Sequence, residues 1–377
     1  MSFLSNRTVN LLNLHYGIHA VALSGGAAFF TVYLLKAGIG VEAVLVSIAA
    51  ILIGRLIIRP AVIPLGVRFG MRPLVIAGTF MSALQYPLLA EVHGIGPALV
   101  ALCAMSAAGD TLYWSTYHAY FAALGDDEHR GHQIGMREAI AAMVGIVSPL
   151  ATAFVLERFG ARAAFGATAV VLFCAAIPLL FTPQVEVARR APGAFKASLP
   201  GVKLFLADGW TGAGYYFVWQ ILLFKTLGES FLDFGATLAA AAFVGAIGGM
   251  VLGRHIDQGH GRRAVWIALG AIAGVIVLRS LVAGHPVLAV AAAALGALAA
   301  CLYFPTMMTA VYNQAKGAPC TLRFQVAAEG GWDIGGAGGL LTAAAIVHFG
   351  LPLSWGVLVA LAGTFAAVVQ LRLYYRA

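Results

Sequence analysis

Leu112-Tyr113-Trp114-Ser115-Thr116 recurs 190 residues later as Leu302-Tyr303-Phe304-Pro305-Thr306, a shift close to half of the 377-residue chain. Three further pairs keep nearly that register. Glu138 corresponds to Glu329 at a shift of 191, and GMRP at 70–73 to GRRA at 261–264, also at 191. YLLKAG at 33–38 corresponds to LLFKTL at 222–227, at 189. Each match alone is weak. Four in register, on either side of the polar stretch PQVEVARRAPGAFKASLPG, point to a duplicated unit whose two copies are parallel repeats.

Each copy has room for six membrane helices. Hydrophobic residues make up 61% of the chain and charged residues 10%, against about 25% charged in soluble domains. Apolar stretches fall near 13–35, 42–63, 73–92, 97–121, 134–156 and 163–182, then near 203–227, 234–253, 263–283, 287–312, 324–348 and 352–374. Each approaches the roughly 20 residues that cross a hydrocarbon core. The expected fold is therefore all-α and polytopic, with twelve transmembrane helices in two six-helix bundles. Residues 1–182 and 203–377 form the bundles and 183–202 a cytoplasmic linker. The 45 glycines suit closely packed membrane helices.

With both termini in the cytoplasm, 18 of the 23 Lys and Arg residues fall inside, Arg55 and Arg59 among them, and five outside, Arg279 among them. An even number of spans in an inner membrane fits this positive-inside bias. The net charge of +8 is scattered over many short loops, so it reads as membrane topology and not as a nucleic-acid surface. The N-terminal segment shows no cleavage site after a short apolar core, so the first helix is expected to stay in the membrane. Four cysteines without a CxxC pair suggest neither disulfide nor metal site. The absence of HExxH, GxSxG and a phosphate loop speaks against a membrane enzyme or an ATP-driven pump, and no cofactor is expected.

The layout resembles the major facilitator superfamily along the whole chain. The local evidence is GRHIDQGHGRR, where Gly253, Asp257, Gly261, Arg262 and Arg263 match the family's loop after its eighth helix with one inserted residue. The first-half copy, IPLGVRFGMR, keeps Arg68, Gly70 and Arg72 but has Val67 at the position of the family's Asp. The resemblance implies a secondary transporter working by alternating access. It also implies a gating latch involving Asp257, Arg262 and Arg263, with Arg68 and Arg72 in the first half. Plain topology signalling by these arginines is the alternative. Glu138 at the start of the fifth span is expected to take part in structure or gating.

Charges inside the spans single out the candidate site, because an ionised group at mid-bilayer costs at least about 2.5 to 3.5 kcal/mol. Asp110 lies in mid-span in AAGDTLYWSTYH, with Trp114 and Tyr117 on its face of the helix and Tyr113 and His118 beside it. An acid among aromatics suits a cation or a proton; a satisfied interhelical hydrogen bond is the bland reading. Glu329 and Asp333 are one helical turn apart, which suits a shared proton, or else a structural pair with Arg323 or another helix. Asp208, followed by Tyr215 and Trp219, makes a second aromatic wall plausible, and Tyr303 of the tenth span is a further candidate site residue. His15 and His19, four apart, have the spacing of metal ligands, with Asp208 as a conceivable third; cavity-lining or proton-handling histidines and packed histidines are the alternatives. Excess acid over base deep in the spans favours export of a small cationic or neutral amphipathic solute in exchange for protons. Proton-linked uptake of a sugar or organic acid is the runner-up, and a non-transporting receptor on the same fold a third reading. A monomer is expected, since two halves complete the pathway.

Overall fold

The computed structural model describes residues 6–125, 130–256 and 261–375, and the side chains of all of these except 130–139, 249–256 and 261–264. The described residues form twelve helical spans. They are α1 (Arg7–Lys36), α2 (Val41–Phe69), α3 (Met71–Ala90), α4 (Pro97–Leu124), α5 (Arg130–Phe159) and α6 (Ala161–Phe181). Then come α7 (Ala194–Gly212, continued through Ala213–Val218 to Trp219–Thr226), α8 (Phe231–Ile256), α9 (Gly261–Leu281), α10 (Pro286–Gly317), α11 (Thr321–His348) and α12 (Leu353–Tyr374). All twelve expected spans are present. The largest boundary shift is at α7, which starts at Ala194, so part of the polar stretch read as linker is helical.

α1, α2, α3, α5, α6, α8, α10 and α12 each contain a segment long and apolar enough to cross a membrane. α4, α7 and α11 fall outside that set, and they carry Asp110, His118, Asp208, Glu329 and Asp333. α9 is outside it as well, its described apolar part Val265–Leu281 being shorter, whereas α2, inside it, carries Arg55 and Arg59. Within the first six helices, α1 packs on α5 and α6, and α3 on α4 and α6; within the second, α7 packs on α11 and α12, and α10 on α8 and α9. The two bundles meet along α2 against α11 and α5 against α8.

These contacts are made by small residues, since without a hydrophobic driving force membrane helices associate through close backbone approach. The closest is α7 on α11. A Cβ on Gly335 would lie 2.0 Å from the Leu206 carbonyl oxygen, one on Gly331 2.4 Å from that of Val202, and one on Gly209 2.2 Å from that of Trp332. On α5 and α8, a Cβ on Gly235 would meet Ala153 Cβ and the Pro149 carbonyl oxygen, both at 2.7 Å. By contrast, Gly270 and Gly274 on α9 face open space.

Three arginines counted as topology signals are buried against other helices instead, whereas Arg323, also buried at 7%, stays at the start of α11 against the connecting segment. Arg55 and Arg59 on α2 retain 5% and 2% of their surface and Arg279 on α9 retains 5%. Removing the first two from eighteen and the third from five leaves sixteen against four, so the bias persists without them.

Gly335→Leu is expected to lower the unfolding temperature of the detergent-solubilised protein, by a loss of about 1 to 3 kcal/mol from overpacking. Gly270→Ala is expected to leave it unchanged or slightly raised, as alanine is the better helix former. Thermal unfolding of both variants beside the parent protein measures the contrast.

Candidate functional site

Arg55 and Arg59 lie one turn apart on α2 and face Glu329 and Asp333, one turn apart on α11. The Arg59 Nε–H donates to Asp333 Oδ2 at 2.9 Å, its Nη2 bonds the same oxygen, and its Nη1 donates to Ser115 Oγ of α4 at 2.5 Å. Arg55 places Nε 2.9 Å from Asp333 Oδ1, donates from Nη2 to Glu329 Oε2 at 3.2 Å, and holds Nη1 4.0 Å from Asp110 Oδ2. Its guanidinium also lies 5.4 Å from the ring centroid of Trp332. Asp333 thus binds both arginines, and the cluster ties the first bundle to the second near the middle of the helices. Asp110 keeps 26% of its side-chain surface, whereas Asp333 keeps none.

Around this core two further groups connect the helices. His118 of α4 stands 3.6 Å from Glu329 Oε1 through Nε2 and shares a 2.7 Å hydrogen bond between Nδ1 and the Tyr312 hydroxyl of α10. Asp208 of α7 accepts from the Tyr303 hydroxyl at 2.7 Å and from the Trp332 indole N–H at 3.1 Å. Trp332 therefore touches both the Asp208 carboxylate and the Arg55 cation.

The expected aromatic walls fall in different places. Trp114 stacks on His118, at 5.4 Å, and sets its edge against His19, at 5.8 Å. Tyr117 is buried among His15, Tyr16 and Tyr113. His15 bonds the Ala175 carbonyl through Nδ1 and the Tyr113 hydroxyl through Nε2, which commits both nitrogens. His19 lies flat on the Tyr113 ring at 4.2 Å. The histidines are packed, and Asp208 is engaged elsewhere. Tyr215 and Trp219 do not reach the charge cluster. They sandwich Arg279, at 4.2 and 4.7 Å, whose Nη1 donates to the Tyr215 carbonyl at 2.8 Å within the π-helical turn Ala213–Val218. Gly296 of α10 makes this possible, because a Cβ there would fall 1.9 Å from Arg279 Nη2.

Arg323 does not pair with the acids. It donates to the Ala188 and Arg189 carbonyls at 2.8 Å each, tying the start of α11 to the connecting segment. Arg68 and Arg189 line a cleft of about 710 Å³ with it. Arg72 donates to the Thr182 carbonyl at 2.9 Å. Neither Arg68 nor Arg72 has a carboxylate partner among the described residues, in keeping with Val67 in place of an Asp. Asp257 lies outside the described residues, and the side chains of Glu138, Arg262 and Arg263 lie outside the described side chains.

The halves also touch at both ends of the bundle. At the end of the connecting segment, Phe121 and His118 meet Tyr312, and Lys316 donates to the Gly125 carbonyl at 3.2 Å. At the far end, Thr31 donates to Gln220 Oε1 at 3.3 Å, and Phe29 meets Phe231 and Phe234 edge-on. The charge cluster sits between these two seals.

Arg55 and Arg59 are the site residues that the sequence reading missed. They sit in an otherwise strongly apolar α2 and are counted there as loop charges. Their spacing of four, matching the spacing of Glu329 and Asp333, is the signal that finds them.

Two helical bundles that meet around a charged centre, with contacts between them at both ends, have the architecture of a membrane carrier. A sequence model of the Major Facilitator Superfamily matches residues 16–224, more than half of the chain, and the chain belongs to that family of secondary transporters. Among solved structures it is similar to the E. coli fucose:proton symporter FucP, with a TM-score of 0.67 at 15% identity over 97% of this chain and 98% of that one. The POT family transporter PepTSo has a TM-score of 0.67 at 12% identity, with 98% of each chain covered. FucP in the outward conformation gives 0.68 at 14%, over 97% and 98%. At such identities the likeness concerns the fold. No curated protein sequence matches the chain significantly.

Asp333→Asn is expected to destabilise the protein by about 3 to 5 kcal/mol, because it leaves buried guanidinium groups short of a counter-charge. Arg59→Gln combined with Asp333→Asn is expected to recover a good part of that loss. A double-mutant cycle by thermal unfolding, run on both single variants and the pair, measures the coupling.

Proposed function

We propose that this transporter is proton-coupled and works by alternating access, with Glu329 and Asp333 on α11 as the proton-binding groups. The observation that supports this reading is the bridge between the bundles: two carboxylates of one bundle hold two guanidinium groups of the other, away from water. Such a bridge stores a conformational choice. Separating an ion pair in a low-dielectric interior is costly, whereas protonating the carboxylate first removes the Coulombic attraction, so proton occupancy biases which arrangement is populated. His118, between Glu329 and Tyr312, is placed to relay a proton toward the end that carries the connecting segment.

In this reading the halves are residues 1–182 and 203–377, rocking about the centre with both termini in the cytoplasm of an inner membrane. The protein acts as a monomer. The acid excess that favoured a cationic cargo shrinks once Arg55 and Arg59 are placed at the centre, which moves proton-linked uptake of an acid ahead of cation export. The open surface of Asp110, one turn from Trp114, is the observation that supports the export reading.

The test uses purified protein in liposomes holding a pH-sensitive dye. Glu329→Gln is expected to lower the number of protons moved per solute, while solute exchange at equal concentration on both sides persists. Full proton coupling in both Glu329→Gln and Asp333→Asn would remove these two groups from the coupling role.

A further inference from the structure

The charges at the centre do not divide evenly between the bundles. The first bundle brings Arg55 and Arg59 on α2 and Asp110 on α4, a surplus of one positive charge. The second brings Glu329 and Asp333 on α11, two negative charges. The other ionisable groups facing the cluster are His118 on α4, 3.6 Å from Glu329, and the Tyr312 hydroxyl on α10 that holds it. Asp208 on α7 is engaged inside its own bundle by Tyr303 and Trp332. With the bundles together, Glu329 and Asp333 hold the two guanidinium groups, and the third carboxylate, Asp110, keeps 26% of its side-chain surface at 4.0 Å from Arg55.

Any rocking that opens a path beside α2 and α11 loosens these pairs; water enters on the open side, but the closed intermediate between the two open states has no water shell to offer in exchange. The carried species must then supply the missing counter-charges. Protons do so on α11, where each neutralises one carboxylate. On α2 only an anion can, because arginine stays protonated under all ordinary conditions. One negative charge cancels the first bundle's surplus, and two protons cancel the charge of the second.

We propose that the substrate is a small organic monoanion, seated on Arg55 and Arg59 in the place that the Asp333 carboxylate now occupies and carried in the same direction as two protons. A planar carboxylate suits the two guanidinium groups: Arg59 already holds one Asp333 oxygen through two donors, and Arg55 Nε lies 2.9 Å from the other. Ser115 beside Arg59 adds a hydroxyl, and Trp332 over Arg55 gives an apolar wall for the body of the molecule. Each cycle moves one net positive charge, so an inside-negative membrane potential drives uptake. This inference rests on the proton-coupled reading and adds cargo charge and stoichiometry to it.

The experiment uses the full chain in liposomes with the membrane potential set by potassium and valinomycin, and measures radiolabelled solute and proton uptake together. The probes are gluconate and lactate as poorly permeant monoanions, succinate as a dianion, tetraethylammonium as a cation and a neutral hexose. The expected result is monoanion uptake with two protons per anion, accelerated by an inside-negative potential. Glu329→Gln is expected to reduce the ratio to one and abolish the dependence on potential. The stoichiometry of the unmodified protein is decisive even where that variant fails to fold. Proton uptake with tetraethylammonium or hexose but not with the monoanions overturns the inference and leaves proton coupling standing. A ratio of one in the unmodified protein also overturns it. Absence of proton movement with every probe overturns both readings.

Discussion

Two guanidinium groups stand in the middle of a bundle built to exclude water, and Asp333 holds them there. Arginine cannot shed its charge in the way a buried lysine or carboxylate can, so a counter-charge has to be built into the fold. Neither bundle provides it alone in sufficient measure. The first has one carboxylate, Asp110, at 4.0 Å from Arg55, and the second has the two that make close contact. The halves therefore depend on each other electrostatically as well as sterically. In the proposed proton-coupled function, that dependence makes the contact between them a switch, since a change of protonation alters how strongly they hold together.

The duplicated architecture assigns different work to its two equivalent interfaces. At the repeat shift of 190, Arg55 and Arg59 on α2 correspond to Gly245 and Gly249 on α8. The α2 and α11 contact is ionic. At the α5 and α8 contact, the described residues pack by small side chains, Gly235 against Ala153 and Gly145 against Ala242. Small apolar surfaces slide at little cost, whereas charge pairs resist separation until neutralised. A symmetric scaffold thus acquires one contact suited to bearing and one suited to control.

A second asymmetry lies in the tyrosines that revealed the repeat. Tyr113 of α4 bonds His15 of α1, and Tyr303 of α10 bonds Asp208 of α7, equivalent contacts between equivalent helices. The partner differs in chemistry, an imidazole in the first bundle and a carboxylate in the second. The matched Ser115 and Pro305 diverge likewise, since only the serine can bond Arg59. Duplication preserved the geometry, and substitution at the polar ends created the site.

Hydropathy and the internal repeat were sufficient to determine the class of this protein. A membrane helix must satisfy its own backbone and present an apolar exterior, so twelve spans, their order and the glycine contacts of α11 are written into local composition. Asp110, Glu329 and Asp333 were legible for the same reason, as acids are conspicuous in apolar stretches. What the acids do was decided only by the tertiary structure. Glu329 and Asp333 look like a pair sharing a proton until Arg55 and Arg59, 274 residues away from their partners, are brought against them. Tyr215 and Trp219 look like a cavity wall until Arg279 fills the space between them. Local sequence records the cost of placing a charge in the bilayer; which distant group offsets that cost depends on how the helices pack.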